Sequence, residues 1–318
     1  MPVPNYGVVK GHVTSARPER DLNKPHYQVR LKAAGKSFQI PINVRSSEGA
    51  PELRFLIDEA FRHPLTASLS GVAEGFLAVP DGRRGPALDY VRGNLFDTAK
   101  LVALPHDLPG EDNDLNDKLD RVMRRAVNDD GIDVFVFGSR FSGGVHDVHM
   151  NQGNPLTGGF AKDNAVFQDG GVLVHFTRQD RWTAIFLAFQ SQSFHTDDAT
   201  GHPVRVERAV EIARQVRIVA ALVNPPGADE GKETVTLLNT TDQPIALKGW
   251  RIANGNREET TLKGALKPHA PLTVRLPANL HLGNQGGTIT LLNDLGVRVD
   301  GVSYTRDQAR QEGRQVVF

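Results

Sequence analysis

Short runs with a two-residue hydrophobic period dominate the start of this chain. Residues 6–13, 27–31 and 37–44 alternate apolar and polar side chains, with a turn at Ala34-Gly35 before the last run, so the N-terminus is predicted to be β-structure. The pattern then changes. Residues 51–62 place Leu53, Leu56, Ile57 and Phe61 at helical spacing and predict a short helix, and residues 75–79 predict another strand. The polar stretch 107–117, DLPGEDNDLND, predicts a loop feeding a helix capped by Asp112 or Asp114, with Leu115, Leu119, Val122, Met123 and Ala126 as its apolar stripe. Residues 134–137 read as a short buried strand ending at Gly138.

Two alternating apolar runs follow, at 171–177 and 182–190, with Gln179-Asp180 as the expected turn between them. An antiparallel hairpin about that turn places Asp169 opposite Gln190 and Phe167 opposite Gln192. Trp182, Ala184, Phe186, Ala188, Gln190 and Gln192 then share one face, apolar near the turn and amide-rich at the open end. A one-residue slip would move both glutamines to the other face. Residues 207–215 are predicted to be helical, and the chain changes character near Val216. Beyond it, short strands are separated by turn signals at 224–227, 241–242, 253–256, 284–287 and 294–296, the spacing of a β-sandwich with Trp250 in its core. The expected fold class is therefore α+β: an antiparallel-sheet-rich domain over residues 1–215, then a β-sandwich over 216–318.

Composition narrows the chemistry. The 318 residues carry 37 Lys+Arg and 37 Asp+Glu, so bulk charge declares no polyanion partner. Residues 216–318 hold 12 basic against 10 acidic groups, so neither part is strongly charged. With 0 cysteines, disulfides, zinc–thiolate sites and thiol nucleophiles are excluded. The N-terminus MPVPNYGVVKG lacks signal-peptide regions and no apolar run is long enough to span a bilayer, so a cytoplasmic location is the default expectation, with leaderless export left open.

The chemistry concentrates in 144–154, GVHDVHMNQGN, where His146, Asp147, His149, Asn151, Gln152 and Asn154 sit between glycines with few apolar neighbours. Such groups are costly to bury unless something satisfies them, so their density points to a site. A divalent metal held by His146, His149 and Asp197, with His195, Asp169 or Asp198 nearby, is one reading. Another is metal-free acid–base work by the histidines on a phosphodiester, with Arg92, Gln152, Asn154, Gln168, Gln190 and Gln192 holding the substrate. The plainer alternative is a polar network that braces loops. No Gly-x-Ser-x-Gly elbow, Walker loop or HExxH helix is present. Residues 112–123 begin like a calcium loop, but Asp117 and Met123 stand where Gly and Glu belong, so helix capping is the expected role.

Two resemblances carry further expectations. The motifs at 89–94 (DYVRGN), 110–117, 144–154, 168–170 (QDG), 189–192 (FQSQ) and 195–198 (HTDD) resemble the bacterial YukJ-like family of uncharacterised proteins, which implies no established activity. The C-terminal motifs at 237–239 (LLN), 247–250 (LKGW), 282–284 (LGN) and 299–304 resemble a lamin-tail domain. That resemblance implies an immunoglobulin-like sandwich with a docking role toward a protein or surface partner. The reading is a hydrolase, a phosphodiesterase or nuclease, with His146, His149, His195 and Asp169 catalytic. The alternative is a non-catalytic module binding a carbohydrate, nucleotide or peptide.

Overall fold

The computed structural model describes residues 6–19, 25–45, 53–78, 94–97, 100–140, 148–149, 170–189, 215–256 and 258–318. They form two compact units, one of Met1–Leu88 with Thr98–Ser193 and one of Asp89–Asp97 with Phe194–Phe318. Among the described residues the elements are almost all antiparallel strands, and no helix is long and apolar enough to cross a membrane.

The first unit is built from β1 (Tyr6–Glu19), β2 (His26–Ala33), β3 (Lys36–Asn43), β4 (Leu53–Asp58), β5 (Gly75–Ala78), β6 (Ile132–Arg140), β7 (Val148–His149), β8 (Gly170–Phe176) and β9 (Arg181–Phe189). Their order is β3-β2-β1-β6-β8-β9-β4, with β5 added to β1 and β7 to β6. The long strand β1 serves two partners in succession. Its first half pairs with β6 from Tyr6↔Ser139 to Gly11↔Val134, and its second half pairs with β2 from His12↔Lys32 to Glu19↔His26, across a bulge between Val13 and Ser15. Two glycines permit the crowding. A Cβ at Gly7 would collide with the Leu77 carbonyl, and one at Gly11 would sit 2.7 Å from Lys32 O.

The β2–β3 hairpin closes through Ala34-Gly35, both at positive φ (47° and 77°), as a two-residue primed turn demands. Alanine tolerates this poorly, and Glu74 accepts the Ala34 N–H at 2.8 Å. Behind the sheet lies one core of Val9, Val29, Leu31, Ile40, Val134, Val136, Val172, Val174, Ile185 and Leu187. Helix α2 (Leu115–Met123) buries Leu115, Leu119, Val122 and Met123 against it. Tyr27 crosses this core fully buried and keeps its hydroxyl satisfied by donating to Asp120 at 2.8 Å.

Asp114 is the N-cap of α2. One carboxylate oxygen accepts Asp117 N–H at 2.9 Å and the other accepts Leu108 N–H at 2.6 Å. Asp112 is paired with Lys118 at 2.7 Å and Asp117 accepts Asn113 N–H at 3.1 Å, so the carboxylates at 112, 114 and 117 are all engaged. Arg121, Arg124 and Arg125 stay on the solvated side of the helix.

Three local expectations change. Within the helix expected at 51–62, the described residues 53–62 form none: Leu53–Asp58 is strand β4, paired to β9 through Phe55↔Leu187 and Ile57↔Ile185. A twelve-residue helix is marginal in isolation, whereas pairing here covers the outer edge of β9 with β-forming side chains. The strand expected at 134–137 is longer, since β6 runs from Ile132 through Gly138 to Arg140. Helix α1 (Pro64–Ser70), capped by His63 accepting Leu65 N–H at 3.0 Å, had no strong sequence signature. The expected helix at 207–215 lies outside the described residues except for Gln215.

In the second unit, β10 (Val216–Leu222), β11 (Thr234–Asn239), β16 (Pro271–Arg275) and β19 (Val316–Val317) make one four-stranded sheet. The strands β13 (Arg251–Asn254), β14 (Glu259–Thr261), β17 (Gly286–Leu292) and β18 (Arg298–Thr305) make another, and β12 (Ile245–Ala246) pairs with β15 (Ala265–Leu266). Val216, Ile218, Val235 and Leu237 from the first sheet share a core with Ile252, Ile289, Leu291 and Tyr304 from the second. Trp250 is buried in it, as its position in the sequence suggests.

The capping geometry gives a direct check. Asp114→Ala is expected to lower stability by about 1–2 kcal/mol in urea unfolding, while Asp114→Asn, which keeps one acceptor oxygen for only one of the two N–H groups, falls between Ala and wild type.

Candidate functional site

The antiparallel ladder around β6 decides where the chemistry-bearing segments begin and end. On one edge β6 pairs with β1, including Tyr6↔Ser139. The other edge therefore carries both β8, through Phe137↔Gly171, and β7, through Ser139↔His149. The backbone of His149 and the start of β8 thus lie two β6 residues apart on the same edge. Strand β9 runs antiparallel to β8 with Gly170↔Leu187, so Phe189 lies beyond the start of β8 at this same end. Leu53 opens β4 there, opposite Phe189.

His149 is within β7, where only its backbone is described. His146, His195, Asp169, Arg92, Gln152, Asn154, Gln168, Gln190, Gln192 and Asp197 lie outside the described residues. Their strand neighbours are nonetheless informative. Asp169 immediately precedes Gly170, the first residue of β8, and Gln190 immediately follows Phe189, the last residue of β9. Arg92 falls in the 89–97 segment, which groups with the second unit, whereas β7, β8 and β9 belong to the first.

The β8–β9 hairpin forms as expected, but in a different register. Gly171 faces Phe186, two residues short of the expected Ala188. A two-residue primed turn would require positive φ at both Gln179 and Asp180, and only Asp180 takes it, at 45°. The chain instead makes a 3-10 turn over Thr177–Gln179 and closes with Asp180, which gives a four-residue loop between Phe176 and Arg181. A shift of two preserves side-chain parity. Ile185 and Leu187 face the main core, and Trp182 stacks on His175 across the other face at 4.2 Å between ring centroids.

That other face carries titratable groups the sequence patterns had not singled out. His12, Asp133, His175 and Trp182 form one row across β1, β6, β8 and β9, with Lys10 and Phe135 in the next. Lys10 Nζ pairs with Asp133 at 3.0 Å. His12 Nδ1 lies 3.1 Å from Ile132 O, and its Nε2 lies 3.3 Å from Glu74 Oε1. His175 Nε2 reaches Asp180 at 3.2 Å. The Ala34 N–H, with His12 adding to it, holds the Glu74 carboxyl below the usual range. Every member has a partner, so the row braces strands. It also lies at the far end of the sheet: six residues of β6 separate Asp133 from Ser139, about 20 Å. No group of three or more His, Asp or Glu side chains disposed to hold a metal occurs among the described residues.

In the second unit one carboxyl stands apart. Glu233 is 1% exposed; its Oε1 accepts Leu282 N–H at 2.8 Å, while its Oε2 lies 3.8 Å from His281 Nδ1. Burial pushes this carboxyl up to about 7, against the opposing Leu282 hydrogen bond. It also helps to raise the Tyr304 hydroxyl further, which burial already holds well above its ordinary range. A lone glutamate before an alternating run gives no sequence cue of this kind.

Comparison with known proteins adds two findings. A family described as "Uncharacterized conserved protein (DUF2278)" matches residues 1–201. The "Uncharacterized protein YukJ" of Bacillus subtilis (strain 168) is 40% identical over 220 residues, covering 64% of this chain and 96% of that relative.

Glu233 supplies a pH test. Its folded-state pKa of about 7 exceeds the ordinary 4.5, so the folded state binds the proton more tightly over that interval. Its contribution is fully present below pH 4.5 and is lost as pH rises through about 7. Unfolding followed by Trp250 fluorescence in a Trp182→Phe background should show stability falling across that window by up to roughly 3 kcal/mol. Glu233→Gln, which still accepts the Leu282 N–H, should flatten the profile.

Proposed function

The chain belongs to the DUF2278 family of uncharacterized conserved proteins, and from that premise we propose that its N-terminal unit is a hydrolase acting on phosphodiesters. One observation carries the reading. The backbone of His149, the strand that begins just after Gln168-Asp169, and the strand that ends just before Gln190 all meet one end of one sheet. The strand ends that border three segments rich in imidazole, carboxylate and carboxamide support bringing those segments into one neighbourhood. A merely connecting loop has no use for that concentration of polar groups.

In this reading His146 and His149 divide the proton transfers. One imidazole takes the proton of an attacking water as its oxygen bonds to phosphorus; the other protonates the leaving oxygen as the P–O ester bond breaks. Asp169 orients the basic imidazole. Gln152, Asn154, Gln168, Gln190 and Gln192 donate hydrogen bonds to the phosphoryl oxygens, where charge builds in the transition state. If His146 and His149 instead hold a divalent metal, that ion would supply Lewis-acid polarisation of the same oxygens. The excess of carboxamides over acids also suits a second reading, a non-catalytic pocket for a carbohydrate, nucleotide or peptide.

For the C-terminal unit we infer a lamin-tail-like, immunoglobulin-type sandwich that docks a protein or surface partner. Two four-stranded antiparallel sheets around one core with Trp250 support the assignment.

Purified protein is expected to hydrolyse bis-p-nitrophenyl phosphate or a nucleic acid, and His146→Ala/His149→Ala should reduce kcat at least ~100-fold. Loss of turnover with chelator, matched by stoichiometric metal in elemental analysis that the double variant lacks, selects the metal form. Absence of turnover together with a melting shift on adding a nucleotide or sugar would replace the hydrolase with the binding module.

A further inference from the structure

Asn94 ends the DYVRGN motif and is the first of four consecutive described residues in the 89–97 segment. Although it stands far from residue 216 in sequence, it belongs to the second unit. It is 4% exposed and adopts φ 47°, a left-handed conformation that asparagine accepts more readily than most side chains. Its Nδ2 donates to Ile289 O at 3.1 Å and Thr290 Oγ1 at 2.9 Å, with Val302 O at 3.4 Å. The neighbouring Leu95 is buried as well.

The receiving surface is shaped for this group. The two carbonyls and the hydroxyl come from the adjacent strands β17 and β18, whose register opposes Ile289 to Val302 and Thr290 to Gly301. At Gly301 a Cβ would collide with the Asn94 carboxamide, so the missing side chain makes the space. Asp300, next to that glycine, accepts Ile218 N–H at 2.6 Å and Arg217 Nε at 3.2 Å, which ties this part of β18 to β10. A donor amide, a matching set of acceptors, a cleared volume and a pinned strand together make a socket.

We infer that the β17–β18 face of the C-terminal unit is a carboxamide socket whose occupant is the chain's own Asn94-Leu95 segment. Residues 94–97 are then a working part of that unit, which draws on sequence well before Val216. The recognition is chemical as well as steric. An aspartate has the same shape as asparagine, yet when ionised it presents only acceptors to two carbonyl oxygens and loses the pairing.

The test uses the full-length protein with Asn94→Asp, Asn94→Gly, Gly301→Ala and the double variant Asn94→Gly/Gly301→Ala, reading hydrogen–deuterium exchange over 286–305. At pH 7, Asn94→Asp should speed exchange there by about tenfold or more, with peptides of β8 and β9 unchanged. Against wild type at the same pH, the difference should shrink near pH ~4, where the carboxyl regains a proton to donate. Gly301→Ala should match that loss alone and add little once residue 94 is glycine. Exchange within about twofold of wild type in Asn94→Asp at pH 7 would overturn the socket. So would a Gly301→Ala penalty of equal size with or without the Asn94 side chain, and this second arm holds even if Asn94→Asp does not fold.

Discussion

The register of the antiparallel ladder through β6, β8 and β9 is the constraint on which the rest depends. A strand pair admits only pairings that keep apolar side chains on the buried face, so residues can shift by two but not by one. Val134, Val136, Val172, Val174, Ile185 and Leu187 impose that condition together. Once it holds, the position of every chain end leaving the sheet follows. His149 lies beside the start of β8, and β9 runs past both toward β4. The hydrophobic core thus fixes the strand ends that border the polar segments.

Much of this was readable from the amino-acid pattern because the signals were local. Alternation announced β2, β3, β8 and β9, and an aspartate ahead of an apolar stripe announced α2. What escaped the pattern depends on partners distant in sequence. Residues 53–58 show helical spacing, yet form a strand because β9 needs covering. The hairpin register moved by two residues because backbone geometry at Gln179 disfavours the shortest turn, which a count of residues between runs does not reveal. For the candidate site, sequence pointed to the segments, and the described structure adds the course of the strands that flank them.

Buried polar groups tell a related story in the second unit. Asn94 reaches its acceptors across nearly two hundred residues of sequence, and Glu233 keeps one oxygen on a backbone N–H while burial resists its ionisation. Asn94 closes the DYVRGN motif, but a linear reading reveals neither its acceptors nor the burial of Glu233. Both occupy a core that would be easier to build from apolar side chains, and each imposes a geometric condition that an apolar replacement would not. The polar row of Lys10, His12, Asp133 and Glu74 plays the corresponding part in the first unit, tying β1 and β6 to the turn between β2 and β3.

The central claim is that the glycine-bounded histidine segment and the exit of β9 face one another at the end of the sheet. The chain has no native cysteine, so spin labels can be placed cleanly at Met150→Cys and Ser191→Cys, next to the proposed groups and sparing them. Pulsed dipolar spectroscopy should give a narrow distribution on the order of 10–20 Å, a few strand spacings plus the label arms. A distribution centred beyond about 30 Å would contradict the account, because no side chain bridges that many strand spacings.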